Sequence, residues 1–320
     1  MKKAVKIWLI VAASLVLLGV LIFGGAMMSL NWNFLNLATY KYEINEYSIE
    51  GDFKDIAVDI ETADVELLLS ENGERRVVCH ETSKEKHTVT VENGILFIGQ
   101  RNNKKWHDYI GIGFKSISLK IYLPAGEYGS LNVQASTGKL SIAEGFVFEE
   151  LFVRKSTGDV KVSSSTLGST NIRTSTGDIV LEKVSSGSLD LIASTGEITL
   201  SGVACEGVIN TKVTTGKMLF SDVSAKSLKS EGGTGDITLT GVICEEKLMI
   251  ERSTGDVMFD GSDAAEISVE TDTGNVKGTL LSDKVFLVET ETGRVEVPKS
   301  TVGGRCEIET ETGNVKISIK

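Results

Sequence analysis

A Thr-Gly pair recurs ten times along the C-terminal part of the chain, with glycines at Gly138, Gly158, Gly177, Gly196, Gly216, Gly235, Gly255, Gly274, Gly293 and Gly313. Successive glycines are always 19 or 20 residues apart. A register kept over that many copies restricts the fold more than any composition does. It describes a stack of equal units, each able to bury its apolar face only against its neighbours.

One copy shows what the unit is. After Gly177 come Ile179, Leu181 and Val184, then Gly187, then Leu189, Leu191 and Ala193 before Ser194-Thr195-Gly196. Apolar residues at alternate positions make short strands with one buried face. Each repeat therefore holds two strands separated by two turns, one at Thr-Gly and one near Ser186-Gly187. Glycine suits a corner that needs positive φ, or one where the next coil passes too close for a Cβ. The stacked threonines are expected to form a hydroxyl ladder. No segment here has helical periodicity. The Asn or Cys ladder of leucine-rich repeats is missing, and propeller blades run to about 40–45 residues. The expectation is an all-β, parallel β-solenoid of about ten coils over 131–320, right-handed as β-crossovers are. At about 4.8 Å per coil the rod is roughly 50 Å long.

Open strand edges at the end of a stack need a cover. Residues 45–130 read as that irregular N-terminal cap with the first coils. Ile56, Val58 and Ile60 alternate, and Thr62-Ala63-Asp64-Val65 reads as a decayed corner. Val89–Val91 and Leu96–Ile98 flank Asn93-Gly94, a hairpin signal. Ser118–Leu123 alternates and ends at Pro124.

The first forty residues differ in kind. No charged residue occurs from Ile7 to Tyr40, and 7–28 is apolar over 22 residues. That length crosses roughly 30 Å of hydrocarbon. Lys2, Lys3 and Lys6 precede it, so the positive-inside rule puts 1–6 in the cytoplasm and the rest outside. A cleaved signal peptide competes, but its apolar run is usually about 7–15 residues. In 29–44, read as a juxtamembrane linker, Trp32, Phe34 and Tyr40 suit the membrane interface. The whole chain has 33 Lys and Arg against 44 Asp and Glu, a net charge of −11. That balance argues against nucleic acid as a partner and makes the outer domain stand off an anionic lipid surface.

The Ser-Thr-Gly-Asp-Val/Ile corners (Ser156–Val160, Ser175–Ile179, Ser253–Val257), with Ile121-Tyr122-Leu123-Pro124 before the first regular repeat, resemble a known family. It comprises bacterial envelope proteins of β-strand repeats, grouped as candidate adhesins with a domain of unknown function. The resemblance covers about residues 45–320 and implies the solenoid fold. The N-terminal anchor suits its members from Gram-positive bacteria. It brings no catalytic residue with it.

Chemistry is sparse. The residue after each repeat glycine is often acidic (Asp159, Asp178, Glu197, Asp236, Asp256), and stacking these would call for a cation or simply mark a solvated turn. Glu270, Asp272, Glu289, Glu291, Glu309 and Glu311 crowd the last three corners, where a solubilising face is favoured over calcium. The three histidines, His80, His87 and His107, give no zinc spacing with Cys79. Cys205 and Cys244 lie two coils apart, about 9.6 Å, beyond disulfide reach, so free buried thiols are expected. No cofactor, metal or catalytic residue is expected. The segment Lys104-Lys105-Trp106-His107-Asp108-Tyr109 joins basic and aromatic side chains; Lys104, Lys105, Trp106 and Tyr109 form the candidate ligand-contact loop, against the favoured alternative that Trp106 and Tyr109 fold back to close the solenoid's N-terminal end.

The reading is a single-pass membrane protein with a non-enzymatic, extracytoplasmic solenoid, active in adhesion or envelope scaffolding. Its partner would be a cell-wall or surface polymer, or membrane-bound envelope proteins. The rivals are an accessory regulator of an envelope-stress response, and a polysaccharide-acting enzyme that would need carboxylates gathered in one groove.

Overall fold

A computed structural model of the chain describes residues 3–34, 41–102 and 117–320. Helix α1 (Lys3–Ser29) is long and apolar enough to cross a membrane; its large apolar side chains up to Phe23 are exposed, while Met27 near its end is buried. Beyond this helical N-terminus, the elements of the described residues are β-strands.

Alternation makes the coils. In Ser169–Thr176, Thr170, Ile172 and Thr174 point inward while Asn171 and Arg173 point out; the chain then turns at Gly177 and buries Ile179 and Leu181. Parallel pairing puts equivalent residues over one another. One inward column runs Val133, Val153, Ile172, Leu191, Thr211, Ser230, Ile250 and Val269. Thr211 and Ser230 would be stranded polar groups there, but both hydroxyls donate to the Met218 sulfur, at 3.4 and 2.9 Å.

Corner glycines meet both demands made of them. At Gly216 φ is +145°, and an added Cβ would lie 2.8 Å from the Gly196 carbonyl carbon and closer to its oxygen. Gly274, Gly293 and Gly313 lack the left-handed φ, so close approach alone selects glycine there. The threonine ladder takes a different form from the one expected. Its axial bonds are main-chain, as from Gly177 N–H to Thr195 O at 3.0 Å, and no corner hydroxyls bond each other among the described residues.

Both ends of the stack depart from sequence order. At the start, β1 (Tyr42–Ser48) is followed by a coil of β2 (Asp55–Thr62) and β3 (Asp64–Leu69). Then come β4 (Arg76–Thr82), β5 (Glu85–Glu92), β6 (Ile95–Asn102), β7 (Ser118–Leu123), β8 (Gly126–Thr137) and β9 (Leu140–Ile142). The β2–β3 coil lies between β6 and β7 on one side and β8 and β9 on the other. Thr62 pairs with Thr137, so the decayed corner belongs to the stack. Antiparallel β1–β4–β7 pairing and the β5–β6 hairpin cover the edge. Asn93 and Gly94 both have positive φ, as a two-residue hairpin turn requires.

At the far end the last coil, Gly304–Thr312 with Val315–Ile319, inserts between Val257–Thr273 and Lys284–Thr292. The corner order is therefore 273, 312, 292. The inserted coil buries Cys306, Ile308, Val315 and Ile317, whereas Val295 of the outer coil is 44% exposed. Pro298, three residues on, cannot donate to a ladder, which suits the outermost layer.

Candidate functional site

Outward residues four before each corner glycine form a row along the rod: Gln134, Arg154, Arg173, Ile192, Lys212, Glu231, Glu251, Glu270, Glu309, Glu289. One face is thus basic or neutral in its first half and acidic in its second. Glu231 sits at the crossover, 2.8 Å from Lys212 and 2.6 Å from Lys229. Those two hydrogen-bonded ammonium groups hold its carboxyl down at about 2.

The basic half contains a recess of about 430 Å³ lined by Asn132, Gln134, Phe152, Arg154, Asn171 and Arg173. Phe152 is 37% exposed on a strand whose inward neighbours Leu151 and Val153 are buried. Arg173 pairs with Asp190 at 3.0 Å, and Arg154 has no acidic partner among the described residues. An exposed ring beside two guanidinium groups and three carboxamides can stack on a sugar ring, bond its hydroxyls and pair with carboxylates or phosphates. Sequence reasoning missed this recess, because its residues are about twenty apart and meet only through the coil register. The signal was available: Asn, Phe and Asn stand at one outward position of three consecutive repeats, and Gln, Arg and Arg two residues on.

The acidic half has its own recess of about 410 Å³, lined by Lys212, Glu231, Glu251, Arg252, Glu270 and Asp272 among others. Arg252 belongs to a second inward column, which runs Ala135, Lys155, Thr174, Ala193, Val213, Gly232, Arg252 and Thr271, and its guanidinium fills the space left by Gly232, where a Cβ would lie 2.5 Å from Arg252 Cζ. None of its nitrogens has a hydrogen-bond partner, and burial pulls it down to about 10. Lys155 occupies the same column but its Nζ donates to the Gly138 carbonyl.

The acids after the repeat glycines serve the scaffold. Asp178 Oδ1 accepts the Glu197 N–H at 2.8 Å, Asp236 Oδ1 the Asp256 N–H at 3.1 Å, and Asp256 Oδ1 the Asn275 N–H at 2.9 Å. Backbone donors relieve the stacked charges, and the Asp178 N–H on Asp159 holds that carboxyl below its usual range. The ladder follows the rearranged order, since Asn275 accepts from Asn314 and Asn314 from Arg294. Glu270, Asp272, Glu309, Glu311, Glu289 and Glu291 remain on neighbouring coils.

All four cysteines are free and buried, and burial pushes the thiols of Cys79, Cys244 and Cys306 up to about 12. Lys104, Lys105, Trp106 and Tyr109 lie outside the described residues. In the cap, Cys79, Glu81 and His87 come together in one buried cluster.

Fold and face define a class: an all-β solenoid, one apolar helix ahead of it, carrying charged recesses on a repetitive surface. The chain belongs to the Toastrack DUF4097 family, whose profile matches residues 53–214 and 207–320. This agrees with the resemblance carried by the Ser-Thr-Gly-Asp corners. No curated protein sequence matches it. Among solved structures, a candidate adhesin from Bacteroides fragilis is similar at 13% identity and TM-score 0.42, over 87% of this chain and 97% of that one. A candidate lipid-binding protein from Parabacteroides distasonis is 15% identical at TM-score 0.45, over 88% and 98%. A candidate adhesin from Parabacteroides merdae is 12% identical at TM-score 0.41, over 88% and 98%.

Proposed function

We propose that the protein is a membrane-anchored, extracytoplasmic, non-enzymatic solenoid that holds an acidic surface polymer of the cell envelope, in adhesion or as a scaffold. The observation that carries this reading is the recess of Phe152, Arg154, Arg173 and the three carboxamides, which combines sugar-stacking and anion-pairing groups on a rigid face. The length and apolarity of helix α1 support an anchor, and the lysines ahead of its apolar run support the orientation with the solenoid outside. Four of the acids after the repeat glycines, Asp159, Asp178, Asp236 and Asp256, are committed to backbone donors, which leaves them poor candidates for acid–base catalysis on a polysaccharide.

The test is retention of the detergent-solubilised full chain on isolated cell-wall polymers, with a membrane extract in parallel. Binding to wall material that falls at least about tenfold in Phe152→Ala/Arg154→Ala, the loss of roughly 1.4 kcal/mol, supports the reading. Capture of membrane proteins alone would replace it with the regulator.

A further inference from the structure

The end cap contains a donor set that the polymer-binding reading does not use. Strand β4 alternates, so Val77, Cys79 and Glu81 share its inward side. The chain then reverses within Thr82–Glu85, where Glu85 N–H bonds Thr82 Oγ1 at 3.1 Å, and β5 turns His87 inward. One donor atom each from Cys79, Glu81 and His87 lies within 4.8 Å of the other two, and all three residues are buried. In sequence the cysteine and histidine are too far apart for a zinc motif, and the hairpin brings them together.

Hydrogen bonding has already ordered this cluster. Glu81 Oε2 accepts the His87 main-chain N–H at 2.6 Å and lies 2.8 Å from His87 Nδ1, and its other oxygen accepts the Asn45 amide. Glu81 Oε2 and His87 Nδ1 therefore stand as an adjacent oxygen–nitrogen pair, and a cation bound there takes the place of a proton between them. The ring's other nitrogen, Nε2, is buried and has no hydrogen-bond partner.

We propose that Cys79, Glu81 and His87 form a zinc site that pins the β4–β5 hairpin in the N-terminal cap. Nitrogen, sulfur and oxygen donors in one buried cluster suit zinc over magnesium or calcium, which take oxygen alone. Binding at Cys79 Sγ, Glu81 Oε2 and His87 Nδ1 displaces to solvent the thiol proton and the proton between carboxylate and imidazole. The fourth position falls to water or to the Asn45 carboxamide, which already touches Glu81. The site is structural by location: β4 pairs with both β1 and β7, so a metal there braces the strands that cover the open end of the stack.

The experiment uses the full chain in detergent, carrying a histidine-free affinity tag. Metal content is measured after exposure to zinc and desalting, and cobalt is then titrated into the chelated protein. About one equivalent of zinc, a tetrahedral cobalt spectrum with a thiolate-to-cobalt charge-transfer band, and a melting temperature lowered by chelation are expected. Cys79→Ser should lose the charge-transfer band and His87→Gln most of the metal, while Cys244→Ser keeps both. Wild-type protein that holds no zinc above a buffer control, or binds cobalt without the thiolate band, overturns the proposal whether or not the variants fold.

Discussion

Replacing Gly235 probes the packing principle of the whole rod. A Cβ at this residue would lie 2.6 Å from the Gly216 carbonyl carbon and nearer still to its oxygen. Ordinary carbon contacts need about 3.5–4.0 Å, so the two coils must part by about 1 Å. Two axial bonds bracket the contact, Gly216 N–H to Thr234 O at 2.8 Å and Met218 N–H to Asp236 O at 3.0 Å. Losing both costs about 2 kcal/mol. Valine at φ +130° adds roughly 1–3 kcal/mol of backbone strain. The sum for Gly235→Val is roughly 3–5 kcal/mol, and Gly235→Ala should show most of it because the first carbon makes the clash. Asp236→Asn, one residue on, keeps the oxygen that accepts the Asp256 N–H and loses only a half-exposed pair with Lys217 at 3.5 Å. Such a pair is worth about 0–1 kcal/mol. Thermal and guanidinium unfolding followed by far-UV circular dichroism would rank the three. Equal shifts for Gly235→Val, Gly235→Ala and Asp236→Asn would refute close coil approach as the reason for the repeated glycine.

Two further outcomes follow from the fold. Burial lowers the Lys155 ammonium to about 8, while the unfolded chain titrates near about 10.4. Between those values unfolding takes up a proton at Lys155, so this residue's own contribution to stability rises with pH, by on the order of 2–3 kcal/mol, while the buried thiols of Cys79, Cys244 and Cys306, which ionise only on unfolding, pull the other way. The change in stability between about pH 7.5 and 10 should therefore be more negative in Lys155→Met than in the wild type by about that amount in denaturant melts, and equal changes would show that the lysine contributes nothing. Coil order is testable by cross-linking: outward-facing Ser268 pairs with Glu307, which pairs in turn with Leu287. Oxidation should join Ser268→Cys to Glu307→Cys, at about 4.8 Å, and fail for Ser268→Cys with Leu287→Cys. The reverse result would restore sequence order at that end.

Much of the architecture is written in one coil's worth of sequence. Alternation around Ile179, Leu181, Leu189 and Leu191 sets the buried face, Thr-Gly sets the corner, and Asn93-Gly94 sets the hairpin, because strand faces and turn conformations depend on residues only a few positions apart. Thr62-Ala63-Asp64 was legible as a corner even without its glycine, since its asparagine-like acid still caps the next coil: Asp64 Oδ1 accepts the Lys139 N–H at 2.8 Å. The absence of charge from Ile7 to Tyr40 likewise marks the apolar helix without reference to any other segment.

Tertiary structure decided what depends on which coils become neighbours. Every coil offers the same ladder of donors and acceptors, so local pattern cannot choose between stacking 292 or 312 on 273. The choice falls to burial, which favours the coil of Cys306, Ile308 and Val315 inside and leaves Val295 and Pro298 at the edge. The same dependence hid both sites. Phe152, Arg154 and Arg173 meet across a coil boundary, and Cys79, Glu81 and His87 meet across a hairpin, so their chemistry exists only once the register between separate strands is fixed.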